Sequence, residues 1–388
     1  TRSLPREMWR TDSTPVRYVR DDQNAVPGPG VKSGQGTYRS APLKRSKLPM
    51  QWSLNRLRSR EDPLVLFTLL TQAVVGAFAV LFLGPLLGLE SLSLTAHPVA
   101  YPVTLFVLIA IQTFALVIST LHLGRPHRFY RAFNNLRYSP VSREVAAVAV
   151  FYNLLGLYTV VTGLPELFTW LPEEVVLFVR DASGWLAVIA GPVSLYFMQR
   201  IYRIPARPFW DHWQVLTSFY GSMLTLGPLL TALAFLPVLV FQGVDYTPLM
   251  QALALPMLVG LMVEAFGLWK HSRYLQSGVG EGGAAWQEQV TRFGKTWIAR
   301  NVGMMMAAVL LVFAFGLAPT GSTGVALWGL IALLVTITAL VGRAMFYVLV
   351  IPTTMPGAFF WNNPAFQEHA RDSGLAGMSQ VGVQVSTH

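Results

Sequence analysis

Apolar residues run in long unbroken stretches along this chain, and polar residues collect between them. Eight such stretches stand near 64–87, 99–122, 144–164, 184–203, 213–241, 249–270, 297–317 and 324–350. Each has about 20 residues or more, enough to cross a ~30 Å hydrocarbon core at 1.5 Å per residue. The runs are continuous, which excludes the two-residue alternation of a membrane barrel. The pattern predicts an all-α polytopic membrane bundle of eight transmembrane helices. The flanking pieces divide the chain into an extended basic arm at 1–60, a membrane anchor domain at 61–357 and a tail at 358–388.

The boundary between the second and third runs is unusual. From Pro63 to Leu121 there is no Lys or Arg, and then "STLHLGRPHRFYRAFNNLRYSPVSRE" (119–144) gathers five Arg, two His and one Glu. Gly124 can take a positive φ and Pro126 cannot continue a helix, so "HLGRP" should close the second helix. Ser139 as N-cap and Pro140 at the first helical position should open the third. His122 then falls on the last turn of one helix and Glu144 within the first turns of the next.

Composition agrees with a membrane protein: 53% of the 388 residues are hydrophobic and 12% charged, against about 25% charged in soluble domains. The mean hydropathy is +0.46. Net charge is +10, but its placement matters more than its size. Residues 1–60 hold 13 Lys and Arg against 4 Asp and Glu, and 28 of the 29 basic residues lie on one side of the predicted membrane or in its adjoining half. The opposite loops hold only Arg180. By the positive-inside rule the arm, the bend and the C-terminus face the cytoplasm, in the inner (cytoplasmic) membrane of a cell. The basic excess is then topology and gives no reason to expect nucleic acid. The first twenty residues have no apolar core of the kind a signal peptide needs, so insertion is expected to rest on the membrane helices.

The chain has no Cys, so the thiolates that hold most iron–sulfur clusters must come from a partner. Its seven His (97, 122, 127, 212, 271, 369 and 388) include none deep within an apolar run, which argues against a bis-His haem. No metal-binding motif is present. Ionisable groups gather instead at the cytoplasmic helix ends: His122, Glu144, Asp211, His212, Glu264 about two turns inside the sixth helix, and the i, i+4 pair Arg343 and Tyr347. A charge inside a membrane segment costs about 2.5–3.5 kcal/mol on insertion scales. Arg343 can meet that cost by snorkelling or by pairing with Glu264, and such groups are functional suspects in either case.

An apolar pocket rimmed by His, Glu, Arg and Tyr suits a quinone. Its ring and tail are apolar, its two carbonyl oxygens accept hydrogen bonds, and its two-electron conversion moves two protons. His122 is the natural proton-exchanging group, with Glu144 passing the proton to water; His122 can equally cap its own helix. Gln72, His212, Arg343 and Tyr347 complete the expected quinone contacts. The arm "NAVPGPGVKSGQGTYRSAPLKRSK" has too little aliphatic content to close a core. It is either a tail held near anionic lipid or a strand that orders along a cytoplasmic partner through Trp9, Tyr18, Tyr38 and Trp52.

At this point the chain resembles the membrane-anchor subunits of dimethyl sulfoxide reductase-type complex iron–sulfur molybdoenzymes. "EDPLVLFTLLTQAVVGAF" (61–78) is similar to the family's first helix, and "LHLGRPHRFYRAFNNLRYSPVSRE" (121–144) to its His-Leu-Gly-x-Pro turn and Ser-x-Glu helix start. "WDHWQVLTSFYGSMLTLGPLL" (210–230) and "VGRAMFYVLVIPTTMPG" (341–357) resemble its fifth helix and its terminal Gly-Arg-x-x-Phe-Tyr signature. The resemblance implies a haem-free anchor that is not catalytic alone. It would hold a four-cluster ferredoxin-like iron–sulfur subunit and a molybdopterin catalytic subunit, and react with menaquinone or ubiquinone. By motif, the family's quinol-site His and Glu fall on His122 and Glu144, and its terminal Arg on Arg343. The arm departs from the family pattern. So does the side: the basic bias puts the complex in the cytoplasm, which favours oxidation of sulfite or another sulfur compound over reduction of dimethyl sulfoxide. The competing reading is a secondary transporter or channel with Glu264 and Arg343 lining its pathway.

Overall fold

The computed structural model describes residues 18–20, 38–40, 50–59, 61–120, 123, 126–204, 207–277 and 281–350. Nine α-helices stand among them: α1 Asp62–Leu83, α2 Ala100–Thr120, α3 Pro140–Gly163, α4 Glu173–Arg200, α5 Gln214–Gln242, α6 Thr247–Ser277, α7 Glu281–Val290, α8 Gly294–Leu317 and α9 Gly321–Val348. All but α7 are long and apolar enough to cross a membrane. The fold is therefore the all-helical, eight-span bundle that the apolar runs predict. In the arm, two three-residue strands, β1 Tyr18–Arg20 and β2 Tyr38–Ser40, pair antiparallel.

Local chemistry explains where the helices begin. Ser139 caps α3, its hydroxyl accepting from the Ser142 amide at 3.3 Å, and Pro140 follows at the start of the helix. The bend before it winds as a 3₁₀ stretch, Pro126–Asn135. Arg143 ties this bend to α3 by donating to the carbonyl oxygens of Leu136, at 2.9 Å, and Arg137. Leu121, His122, Gly124 and Arg125 lie outside the described residues.

Two helices outrun their apolar stretches. α4 starts at Glu173, before the run at 184–203, with Glu173 and Glu174 in its first turn, where acids favour the positive end of the helix dipole. α6 continues past 270 through Lys270, His271 and Arg273 to Ser277. Glu264 is thus thirteen residues, or about 20 Å at 1.5 Å per residue, from the end of its helix, rather than the two turns read from the apolar run. The short amphipathic α7 escaped a reading based on membrane-length runs.

α1 is the central post. Of its apolar window 67% is buried inside the protein, against 22% for α4. It crosses α5 at the closest approach that two backbones allow. A Cβ built on Gly76 would lie 2.2 Å from the Met223 carbonyl oxygen, and one on Gly227 2.3 Å from the Gly76 carbonyl carbon. Small residues at a crossing let membrane helices gain van der Waals contact where the hydrophobic effect offers little. Phe114, Ile189, Phe241, Met262 and Phe313 remain exposed, as a lipid-facing surface requires.

Residues 50–57 are bound to the membrane domain. Gln51 donates to the Thr291 carbonyl at 3.0 Å and accepts from the Lys295 amide at 3.1 Å. The Ser53 amide donates to the Thr296 hydroxyl at 3.1 Å. The root of the arm is thereby pinned in the elbow between α7 and α8, with Trp52 exposed. Trp9 lies outside the described residues, and only the backbone of Tyr18 and Tyr38 is described.

The α1–α5 crossing makes a simple prediction. Gly76→Ala forces two backbones apart and should lower stability in detergent by about 1–3 kcal/mol, as overpacking does. Gly329→Ala on α9, where a Cβ meets nothing within 4 Å, should leave the thermal unfolding midpoint unchanged or slightly raised.

Candidate functional site

α9 places Arg343 and Tyr347 one turn apart near its end on the side of the bundle where the bend lies, and both are buried. Arg343 donates through Nη2 to Gln72 Oε1 on α1 at 3.0 Å. Its guanidinium lies over the Phe219 ring of α5, 4.2 Å from the centroid, and near Phe346 at 5.7 Å. A desolvated cation–π contact contributes about 2 kcal/mol. Among the described residues no carboxylate forms an ion pair with Arg343. The residue is only 3% exposed, so its charge is held by one amide oxygen and two ring faces.

Tyr347 shares a hydrogen bond of 2.6 Å with Tyr202, which follows α4 on the way to α5. Tyr202 also packs edge-on against Trp210 and Phe346, at 5.1 Å from each. Trp210 Nε1 donates to the Phe346 carbonyl at 2.8 Å, fixing the α4–α5 connection to the end of α9. Burial, with Tyr347 and Glu144 adding, pushes the Tyr202 pKa well above its ordinary value. Its hydroxyl therefore stays protonated and able to donate.

Glu144, in the first turns of α3, is 7% exposed and forms no ion pair among the described residues. It lies close enough to act electrostatically on both Tyr202 and Tyr347, and Arg343 acts on both in the opposite sense. The two phenols thus feel a buried carboxyl and a buried guanidinium in opposite senses. The polar layer continues across α1: Gln112 of α2 donates to Thr71 at 3.2 Å, beside Gln72. Two buried donors of this layer have no partner among the described residues, Arg343 Nη1 and Gln72 Nε2.

Sequence reasoning named Gln72, Glu144, Arg343 and Tyr347, and the fold brings these four together. His212 belongs to a different cluster at the start of α5, stacked on Tyr274 at 5.1 Å and 5.2 Å from His271. His271 is buried, its ring Nε2 bonded to the Phe209 carbonyl at 2.9 Å. The pairing of Arg343 with Glu264 does not form. Glu264 pairs with Arg300 of α8 instead, because α6 packs on α8 while α9 meets α1. Nor does Arg343 snorkel, since it is buried. Tyr202, Phe219 and Arg300 were missed. Arg300 had a readable signal, a charge four residues into the apolar run at 297–317.

Fold and site together define a polytopic helical membrane protein with its polar chemistry gathered near one end. Its family follows from comparison with known sequences: the DMSO reductase anchor subunit (DmsC) family model matches residues 58–349, and the protein belongs to that family. It is 31% identical over 180 residues to the C subunit of the anaerobic dimethyl sulfoxide reductase of Haemophilus influenzae, covering 46% of this protein and 59% of that one. It is 28% identical over 172 residues to the YnfH subunit of an anaerobic dimethyl sulfoxide reductase of Escherichia coli, covering 44% and 56%. To the C subunit of the Escherichia coli anaerobic dimethyl sulfoxide reductase it is 31% identical over 188 residues, covering 48% and 60%. The matched stretch thus spans three-fifths or less of these curated relatives. The matched residues take in most of the motif-bearing stretch from 61 to 357.

Two outcomes follow from the geometry. Lysine cannot reach Gln72 while lying over Phe219 as the planar guanidinium does, so Arg343→Lys should lower stability by about 1–3 kcal/mol, read by thermal unfolding in detergent. His212 supplies the second outcome. Its Nδ1 accepts from the Gln214 amide at 3.1 Å, which requires the neutral ring. Burial, with the Arg203 guanidinium adding and Asp211 opposing, lowers its pKa. A His with a depressed folded pKa contributes stability fully above its unfolded value, about 6.5, and loses it as pH falls through the lower folded value. The protection factor of the Gln214 amide, its exchange relative to the intrinsic rate at each pH, should therefore fall on acidification below that range, and His212→Asn should flatten the dependence.

Proposed function

We propose that this protein is the quinone-reactive membrane anchor of a molybdopterin and iron–sulfur oxidoreductase. It would exchange electrons and protons between the membrane quinone pool and a partner's iron–sulfur cluster. The observation that carries this reading is the pair of buried, unpartnered donors, Arg343 Nη1 and Gln72 Nε2. Leaving such donors unmet costs about 1–3 kcal/mol each, and a quinone carbonyl oxygen is an acceptor without a donor of its own. The phenols of Tyr202 and Tyr347 add donors beside it, and Glu144 adds a carboxyl.

The partners in this reading are a four-cluster ferredoxin-like subunit and a molybdopterin catalytic subunit. Membership of the anchor family supports both, and the absence of Cys leaves cluster ligation to them. His122, by motif, donates to one quinone oxygen and exchanges its proton, with Glu144 as relay. The basic excess at this end of the bundle supports partners on the cytoplasmic side, together with both termini. Sulfite or another sulfur compound oxidised there would then be the electron source. The arm, with its net charge of +9 from 13 basic and 4 acidic residues, suits an acidic face of the iron–sulfur subunit.

The test is purification of the tagged protein from native membranes, followed by kinetics of whatever complex comes with it. Iron–sulfur and molybdenum subunits should co-purify. In that complex His122→Ala and Glu144→Gln should each lower electron exchange with quinone by roughly ten- to a hundredfold, the worth of one hydrogen bond to a charged group. Dye-linked activity of the partners should persist. A protein that purifies alone, or quinone turnover unchanged in both variants, would reject the proposal.

A further inference from the structure

A second buried polar group lies on the other side of Arg343, among α5, α6, α8 and α9. Glu264 pairs with Arg300, and both are buried. Arg300 also donates to Asn301 at 3.0 Å. Its guanidinium fits a notch that only glycine leaves open: a Cβ on Gly342 would stand 2.8 Å from its Nε and Nη2. Gly342 precedes Arg343 directly, and Glu264 and Arg300 both act electrostatically on Arg343. Beside the pair is a cavity lined by Ser222, Thr225 and Thr338 as well as Glu264 and Arg300, with room for about one water molecule.

Packing alone does not account for this arrangement. A buried ion pair is often no more stabilising than apolar residues of the same volume, and within a membrane span ionisable groups mark proton or ion paths. A metal cation would meet two guanidinium groups here, and no cluster of metal-ligating residues exists among the described residues. A proton carried by a carboxylate and a water suits the charge and the size. Farther along α6, α8 and α9, toward the end opposite the bend, Leu253, Met257, Leu311 and Ile331 are buried apolar residues. That favours exchange on the Arg343 side, where Arg300 reaches Gly342.

Quinone conversion needs two protons, and Glu144 accounts for one. We propose that Glu264, held by Arg300 beside its cavity, is the second proton-exchanging carboxylate of the site. This rests on the quinone reading above. When quinol is oxidised, two O–H bonds break, two electrons pass one at a time to the partner's iron–sulfur clusters, and two protons leave, one through His122 to Glu144 and one to Glu264, before release to water. Quinone reduction runs the same steps backward, each carboxyl returning one proton. Arg343 stays charged and carries none. Arg300 is a positioning residue that holds the Glu264 carboxylate beside the cavity.

The intact complex provides the test. Glu264→Gln should lower quinone turnover roughly a hundredfold, the scale of a lost acid–base group, while a fluorescent quinone-analogue inhibitor binds within a factor of about three (0.65 kcal/mol at most by affinity arithmetic). Glu264→Gln combined with Arg300→Gln leaves no unpaired buried charge at this pair, so it restores any lost assembly without restoring turnover. Recovery of turnover in the double variant, or unchanged turnover in the single one, would reduce the pair to packing and overturn the proposal. If neither variant assembles, the native complex decides: infrared difference spectra on quinone reduction should show two carboxyl protonation changes, and one would refute a role for Glu264. Failure of the unmodified complex to bind the analogue at all would instead refute the quinone reading.

Discussion

Arg343 is the constraint around which one end of this bundle is organised. An always-charged guanidinium is buried within a membrane helix and has no carboxylate paired to it among the described residues. The charge is tolerable only because α1 supplies the Gln72 oxygen and α5 supplies the face of Phe219. Both contacts require α1, α5 and α9 to meet at one depth. The glycine crossing of α1 on α5 brings those two helices close enough. Tyr347, one turn beyond Arg343, then reaches Tyr202, and Trp210 closes the connection between α4 and α5 over the end of α9.

Electrostatics gives this frame its character. Glu144 and Arg343, each without a direct ionic partner among the described residues, act in opposite senses on the same pair of phenols. Between α6 and α8, by contrast, the protein pairs the buried carboxylate of Glu264 directly with Arg300. The contrast matters. A protein able to neutralise a buried charge in one place left two groups without an ionic partner in another. Such a site is arranged for something that enters it.

Much of the architecture was legible because lipid imposes length and continuity on the helices. The Ser139–Pro140 start was read correctly from local chemistry alone. The ends of α4 and α6 were misread because charged residues continue a helix in water as readily as apolar ones do in lipid. The site was legible in part. Arg343, Tyr347, Glu144 and Gln72 stood out as polar residues in apolar surroundings. Their partners did not, since pairing depends on which helices are neighbours: the sequence suggested Glu264 for Arg343, and the order of α6, α8, α9 and α1 around the bundle gave Arg300 and Gln72 instead. His212 was grouped with the site by depth alone, whereas its ring stacks with Tyr274 and belongs to the α5–α6 rim.

The central claim is that the unpartnered donors on Arg343 and Gln72 mark where a quinone is held. A photoreactive azidoquinone, activated on the native complex and traced by peptide mass spectrometry, tests this directly. The account predicts labelling confined to the peptides that carry Gln72, Tyr202 and Arg343–Tyr347, and abolished by excess unlabelled quinol. Labelling confined to peptides elsewhere, such as the lipid-facing surfaces of α2 or α8, would contradict it.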